Sequence, residues 1–243
     1  MDFYKILSKY YDEVFKLQQS AVQFLDIGLK EKDKVLDMAC GTFSYGLELT
    51  KKGKEVFGID LSEFMIKKAE EKSKEYSVEL FDEDIRNINV IFKDIRFKEI
   101  FCIGNSLVYL PFKSDMKDVI KKSYKILEDD GIFIIGIVNY DRVLKDKIKK
   151  LPIIINDELG INFTREYNYI ENSEYIDLNE MLDINNEDEN VSDNNCVKLL
   201  PMCKDELVNM IKDAGFSKIS LFGDYKENEW TKDSENTIIK AWK

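Results

Sequence analysis

Six residues fall where strands would end in an alternating strand and helix pattern: Asp37, Gly41, Asp60, Asp84, Asn105 and Asn139. In an open α/β sheet, ligands bind beyond the carboxyl ends of the strands, where the strand order reverses, so side chains there can do chemistry. Gly41 lets backbone pass close to a ligand, and the helix after it presents free N–H groups. Asp60 follows Gly41 by nineteen residues, the placement at which a carboxylate can accept both hydrogen bonds of a ribose diol. The pair points to a ribose-bearing ligand. Plainer readings stand beside this one. Asp37 could be an ordinary turn acid and Asp60 a cap for the helix that Ser62 begins. Asp82, Glu83 and Asp84 together resemble a solvated turn, and Asn139 and Tyr140 could be strand-end packing. The joint occurrence of Asp37 and Asp60 at consecutive strand ends favours binding.

The chain has no histidine. That removes a Ser-His or Cys-His nucleophile, a histidine zinc ligand and a general base of near-neutral pKa. Chemistry must use carboxylates, tyrosines, lysines or a cofactor, and no catalytic side chain can be named. The fingerprint G-x-G-x-x-G maps onto Ala39, Gly41 and Ser44, with one glycine of three, which disfavours a dinucleotide. The acidic, Asn-rich stretch 183–195 fails the EF-hand template, with Asp188 at its sixth position and Asn194 at its twelfth. A mobile, solvated loop is expected there, and no metal site. Cys40, Cys102, Cys196 and Cys203 form no C-x-x-C pair, so reduced, packed thiols are expected.

These residues need a scaffold. Apolar residues recur at helical spacing through residues 1–30, from Ile6 and Tyr10 to Phe24 and Leu25. From Lys34 the pattern becomes strand, turn, helix: Val35–Ala39, the turn Cys40-Gly41-Thr42, a helix through Leu47 and Leu49, then a strand at 55–59. Ser62 caps a helix whose apolar face is Met65, Ile66 and Ala69. Strands at 78–81, 100–104 and 132–138 continue the alternation, which implies a parallel sheet with right-handed crossovers. Residues 161–184 alternate polar and apolar around Glu171-Asn172-Ser173, an antiparallel hairpin insertion. A helix at 205–214 ended by Gly215 and strands at 216–222 and 237–242 close the fold.

Val35-Leu36-Asp37-Met38-Ala39-Cys40-Gly41-Thr42, followed by Gly58-Ile59-Asp60-Leu61-Ser62, resembles the first two motifs of class I S-adenosylmethionine-dependent methyltransferases. The likeness extends through Asp84-Ile85-Arg86, Gly104-Asn105-Ser106, Asp129-Asp130-Gly131 and Asn139-Tyr140-Asp141, and is greatest to the glycine/sarcosine N-methyltransferase-like branch. It implies an α/β fold: a doubly wound, mostly parallel, seven-stranded Rossmann-like sheet with an inserted antiparallel β cap. The divisions would be an N-terminal helical lid (1–30), a cofactor-binding domain (31–150 and 202–243) and the hairpin cap (151–201). It implies S-adenosylmethionine as cofactor. Ala39 and Gly41 would approach its methionine part with Asp37 beside them, and Asp60 would hold the ribose. Leu61 and Met65 would pack on adenine, Asp84 and Ile85 would meet its amine edge, and the carbonyl of Asn105 would face the ammonium. Tyr11 resembles the lid tyrosine. Phe43 departs from the family, which usually has a third glycine there. Its ring either narrows the methionine pocket or turns into the core, where buried Phe is commonest.

Net charge is -11 and the lysines are scattered, which argues against nucleic acid. The basic run 145–150 reads as a solvated helix face. No stretch matches a membrane span or a signal peptide, so a cytoplasmic protein is expected. The function implied is methyl transfer to a small-molecule acceptor, an amine first, with Tyr109, Asn139 and Tyr140 as candidate acceptor contacts. The alternatives are a non-catalytic cofactor-binding or protein-interaction module and, behind it, an NAD-binding oxidoreductase. Oligomeric state is not legible.

Overall fold

The computed structural model describes residues 3–187 and 189–243. Met1 and Asp2, part of the segment read for a leader, and Asp188, the sixth position of the calcium template, lie outside the described residues. Two amphipathic helices open the chain, α1 (Phe3–Val14) and α2 (Gln19–Asp26). Strands and helices then alternate through β1 (Lys34–Met38), α3 (Ser44–Lys51), β2 (Glu55–Asp60), α4 (Glu63–Ser73) and β3 (Glu79–Asp82). The alternation continues with α5 (Ile88–Ile91), β4 (Phe97–Cys102), α6 (Lys113–Ile126), β5 (Leu127–Val138) and α7 (Tyr140–Asp146). Four further strands, β6 (Ile154–Asn156), β7 (Ile161–Tyr169), β8 (Ile176–Asn185) and β9 (Asn190–Leu199), precede α8 (Lys204–Ala214), β10 (Lys218–Phe222) and β11 (Asn236–Trp242).

The main sheet has seven strands in the order β10-β11-β5-β4-β1-β2-β3. Strands β1 to β5 are parallel, and β11 runs antiparallel to both β5 and β10. Its central strands are apolar almost throughout because helices cover both faces. Met116, Val119 and Ile120 of α6 with Leu207, Met210 and Ile211 of α8 cover one face, and Phe24, Leu25, Leu47 and Leu49 of α2 and α3 cover the other. Burying each such side chain stabilises by roughly 1.5–3 kcal/mol. Helix α8 ends at Gly215, whose φ of 112° is a left-handed conformation that glycine adopts without strain. Strand order reverses at β1, which pairs with β2 on one side and β4 on the other. The ends of β1 and β4 therefore open into a crevice.

The insertion is larger than the expected hairpin: β6-β7-β8-β9 form a four-stranded antiparallel sheet. The expected turn at 171–173 does join β7 to β8, but 183–195 is not a free loop. Strand β8 continues to Asn185 and β9 starts at Asn190, in full register from Ile176↔Leu199 to Asn185↔Asn190. Asn185, Asn190, Ser192 and Asn194 take outward positions of the paired strands, while Asp193 and Asn195 take inward ones opposite Leu182 and Glu180, so both faces of β9 carry polar residues, a pattern that composition alone reads as loop. A third apolar cluster joins this sheet to the N-terminus: Phe3, Ile6, Leu7 and Val14 of α1 pack with Met65 of α4 and with Ile161, Phe163, Leu182 and Ile184. Helix α1 thus roofs the crevice and ties it to the insertion. The basic run 145–150 is not one helix face, since α7 stops at Asp146 and Lys147 is left-handed. Cys102 is buried as expected, whereas Cys196 is exposed on the outer face of β9.

Candidate functional site

The turn after β1 is built from alternating left-handed residues: Ala39 (φ 57°), Gly41 (φ 54°) and Phe43 (φ 63°). Strained backbone of this kind costs of order 1–3 kcal/mol per non-glycine residue and clusters at ligand clamps. Asp60 holds the turn in place. Its Oδ2 accepts from Gly41 N–H at 2.8 Å and its Oδ1 from Ser62 N–H at 2.9 Å. A carboxylate has about four acceptor sites, so each oxygen can take a further bond. Burial pushes the Asp60 carboxyl above its ordinary range, and the two backbone bonds oppose that rise. Asp37, buried at the end of β1, is pushed well above the carboxylate range by burial and then by the charge of Asp60. Its Oδ2 has no hydrogen-bond partner.

Phe43 resolves toward the core. It is fully buried, and its ring lies where Gly46 and Gly58 have no side chain: a Cβ on Gly46 would come within 2.1 Å of Phe43 Cε2. Two glycines on neighbouring elements make the space that the ring fills.

Beyond these strand ends lies one cavity of about 870 Å³, toward the upper end of ordinary small-ligand pockets. Nine of the expected cofactor residues line it: Tyr11, Asp37, Ala39, Gly41, Asp60, Leu61, Met65, Asp84 and Ile85. Tyr109 also lines it. The Tyr11 ring stands over the turn, 3.4 Å from where a Cβ on Gly41 would be. Leu61 is 73% exposed at the rim, a bare apolar surface beside the crevice. Asp84 is already engaged, because Arg86 bonds it through N–H at 2.8 Å, Nε at 2.9 Å and Nη2 at 2.6 Å. An adenine amine would have to share that carboxylate.

Three expected residues do not line the cavity. Asn105, expected to turn its carbonyl to the cofactor, joins β4 to β5: its N–H donates to Gly136 O, its Oδ1 accepts from Val138 N–H, and its Nδ2 donates to Tyr140 Oη. The lining there comes from Ile103, Gly104 and Ser106. Tyr140 is fully buried. Asn139 is spent on the 231–234 loop, donating to the carbonyls of Thr231, Lys232 and Ser234, and caps α7 by accepting from Arg142 N–H. Ser62 occupies the N-cap position of α4 but makes no side-chain cap bond. Its Oγ is a second buried, unpartnered oxygen on the lining.

Sequence reasoning missed Tyr4, Tyr45 and Glu180, all on the lining. Glu180 comes from β8, far along the chain, and only the inward alternation of that strand could have signalled it. Helix α1 is pinned next to the cavity. Asp12 of α1 accepts from Thr42 Oγ1 at 2.5 Å, Ser44 Oγ at 2.7 Å and Lys72 Nζ at 2.5 Å. Lys9 and Tyr10 bind Glu189 beside the insertion at 2.9 and 2.8 Å.

The charge of the lining suits a cation. Asp37, Asp60, Glu63, Asp84 and Glu180 face the cavity against Lys16 and Arg86. S-adenosylmethionine carries a sulfonium, an ammonium, a ribose diol and an adenine. The orphaned Asp37 Oδ2, the spare acceptor capacity of Asp60 and the apolar Leu61, Met65 and Ile85 are chemically matched to those groups.

Comparison with known proteins agrees. The methyltransferase domain family matches residues 35–131. The chain is 27% identical over 212 residues to the glycine/sarcosine N-methyltransferase of Aphanothece halophytica, covering 86% of this chain and 76% of that one. It is 34% identical over 116 residues to the Bacillus subtilis protein YqeM, named as a methyltransferase; this match spans about half of each chain, 47% of this one and 46% of that one. A Clostridium acetobutylicum S-adenosylmethionine-dependent methyltransferase superposes with a TM-score of 0.83 over 98% of both chains at 19% identity, a likeness of fold. With the turn, the Asp60 carboxylate and the strand order in place, the methyltransferase domain match over residues 35–131, the relatives and the shared fold support a class I S-adenosylmethionine-dependent methyltransferase.

Proposed function

We propose that this enzyme transfers a methyl group from S-adenosylmethionine to a small-molecule amine enclosed between the strand ends and the inserted sheet. The observation that carries this reading is the continuity of one cavity from Asp37 and Asp60 to Tyr109, Ile154 and Glu180. Donor and acceptor can share it without crossing solvent. When bound, the cofactor supplies a methyl group on a positively charged sulfur, already activated for transfer to a nucleophile.

The remaining work belongs to the chain. In this proposal Asp60 holds the ribose hydroxyls, the Ala39–Gly41 backbone and Asp37 hold the methionine end, and Leu61, Met65 and Ile85 hold adenine. Residues 1–30 act as the lid, 31–150 with 202–243 bind the cofactor, and 151–201 cap the acceptor. Tyr11 and α1 close the top and exclude water. Holding two reactants in a near-attack geometry can account for roughly 7–11 kcal/mol of a barrier, so the lack of histidine is no obstacle. The amine preference is supported by relatives named for N-methylation of glycine, sarcosine and a sugar. A cytoplasmic setting without a membrane partner is part of this proposal, and the scattered lysines with the net charge of -11 speak against nucleic acid as partner. Among the described residues no helix is long and apolar enough to cross a membrane.

The test is ligand-dependent melting followed by turnover. S-adenosylmethionine or S-adenosylhomocysteine at a hundredfold excess over Kd stabilises by about 2.7 kcal/mol, a rise of roughly 5–11 °C for a domain of this size, while NAD gives none. Labelled methyl groups should then appear in the small-molecule fraction of a metabolite pool. Label only in RNA or protein would sink the acceptor assignment, and a shift with NAD alone would sink the cofactor.

A further inference from the structure

We propose that Lys16 holds the carboxylate at the methionine end of the cofactor, and so makes the site select S-adenosylmethionine and S-adenosylhomocysteine over related nucleosides that lack this group. The inference rests on the methyl-transfer reading above and deepens it: it supplies a partner for a cofactor group that Asp37, Asp60 and the apolar residues leave unmatched.

S-adenosylmethionine carries its ammonium and its carboxylate on the same carbon. With Asp37 at the ammonium, the carboxylate lies beside it, facing a lining that includes Asp37, Asp60, Glu63, Asp84 and Glu180. Like charges brought together disfavour each other, so a carboxylate binds among these acids only with a cation of its own. Among the described residues two cationic side chains line the cavity, Lys16 and Arg86. Arg86 is committed at the adenine end: it bonds Asp84 through Nε and Nη2 at 2.9 and 2.6 Å and lies 3.6 Å from Asp115. Arg165 has an unpartnered Nε, but it is off the lining. It sits on β7 opposite Glu180, with its guanidinium 5.6 and 5.4 Å from the ring centroids of Phe15 and Phe163. Its charge therefore belongs to the inserted sheet and not to the turn after β1.

The fold brings Lys16 to that turn. It lies in the connection between α1 and α2, just before Gln18, whose N–H reaches Tyr45 Oη on α3 at 3.5 Å. Earlier on α1, the Tyr11 ring stands over Gly41. The Tyr11 phenol is pushed up by burial first and then by the charges of Asp60, Asp12, Tyr45 and Asp37, which places this end of α1 above the two strand-end carboxylates. Tyr11, Gln18 and Tyr45 line the cavity together with Lys16. Lys16 is exposed, and its ammonium has no partner among the described residues. A lysine is a point charge on a flexible stem, able to follow a carboxylate that arrives with a ligand. That contact also ties the α1–α2 connection to the bound cofactor.

The test uses the full chain and two ligands that differ in the carboxylate alone: S-adenosylhomocysteine and its decarboxylated analogue, which keeps the ammonium, the thioether and the adenosine. Calorimetric titration reads both affinities in the wild-type protein and in Lys16→Met, which keeps an unbranched stem and removes the charge. The wild-type protein is expected to prefer S-adenosylhomocysteine by about fivefold or more. Lys16→Met is expected to bring the two ligands within twofold by weakening S-adenosylhomocysteine, with ligand-free melting unchanged because the side chain is exposed and unpaired. Since the pair forms at the mouth of the cavity, about 0.5 M salt should shrink the wild-type preference. A wild-type preference under fivefold, a preference above twofold that survives in Lys16→Met, or a preference indifferent to salt overturns the proposal. Binding of neither ligand would bring down the methyl-transfer reading, and this proposal with it.

Discussion

Asp60→Ala should damage both the cofactor site and the fold, and the structure allows the two effects to be separated. The carboxylate accepts two backbone N–H groups, from Gly41 and Ser62, at 2.8 and 2.9 Å. Leaving a buried donor unsatisfied costs about 1–3 kcal/mol. Water can reach part of this rim, so the lower end of that range applies to each donor, about 2 kcal/mol together. At roughly 2–4 °C per kcal/mol, the ligand-free melting temperature should fall by about 4–8 °C. A strand-end acid that served only a ligand would leave melting untouched, so this loss is a consequence of the tertiary structure. Cofactor binding suffers further. Losing the ribose contact and loosening the Gly41 turn should weaken S-adenosylhomocysteine by tenfold or more, since 1.4 kcal/mol is a factor of ten. Calorimetric titration at 15 °C, where the variant stays folded, measures affinity apart from melting. Melting reduced with affinity unchanged would refute the ribose assignment and leave Asp60 as a brace for the turn and α4.

Other outcomes follow from the same contacts. Gly46→Ala should destabilise by about 1–3 kcal/mol through overpacking, because its Cβ would meet the fully buried Phe43 ring at 2.1 Å; a raised melting temperature, as helix propensity alone would give, would disprove the packing account. Asp12→Ala removes the bonds to Thr42, Ser44 and Lys72 that hold α1 over the turn, and stopped-flow release of S-adenosylhomocysteine should quicken by roughly fivefold to a hundredfold, since one to three bonds at about 1 kcal/mol each are lost; an unchanged off-rate would show that α1 does not gate the cofactor. For Asp37 the folded carboxyl titrates well above its unfolded value, so its contribution to stability is present below the unfolded pKa and is lost as pH rises toward the folded pKa. Asp37→Asn should flatten that decline in ligand-free melting while weakening the cofactor, whose ammonium it would no longer meet as an anion. Binding of the cation to the native protein should release a proton where Asp37 is protonated, so affinity should rise with pH, and calorimetry in two buffers of different ionisation enthalpy reads the proton.

Much of this was legible in the order of residues along the chain. Period and punctuation marked β1, the Gly41 turn, β2 and α4, because buried parallel strands must be nearly all apolar and the turn between strand and helix needs special backbone. Asp37 and Asp60 could be picked out because strand ends in such a sheet converge on one crevice whatever the rest of the chain does. Alternation at 161–184 announced an antiparallel insertion, since each strand there has one buried face. Other features were beyond reach because they depend on what an element meets. Asn105 and Asn139 have the right types at the right strand ends, yet neighbouring backbone claims their side chains, and hydrogen bonds to partners 33 and more residues away leave no trace in local pattern. Phe43 reads as a departure until Gly46 and Gly58 are seen to vacate its space. The polar residues of 183–195 look like a loop because a strand with polar residues on both faces, such as β9, shares a loop's composition, and only the pairing of β9 with β8 distinguishes them. Glu180 is one acid among forty-seven acidic residues until the inserted sheet turns it toward the ends of β1 and β4. Local chemistry determined the scaffold and the crevice at its strand ends; the wall that the inserted sheet adds to the cavity was decided by long-range packing, which brings together residues that sequence spacing leaves unrelated.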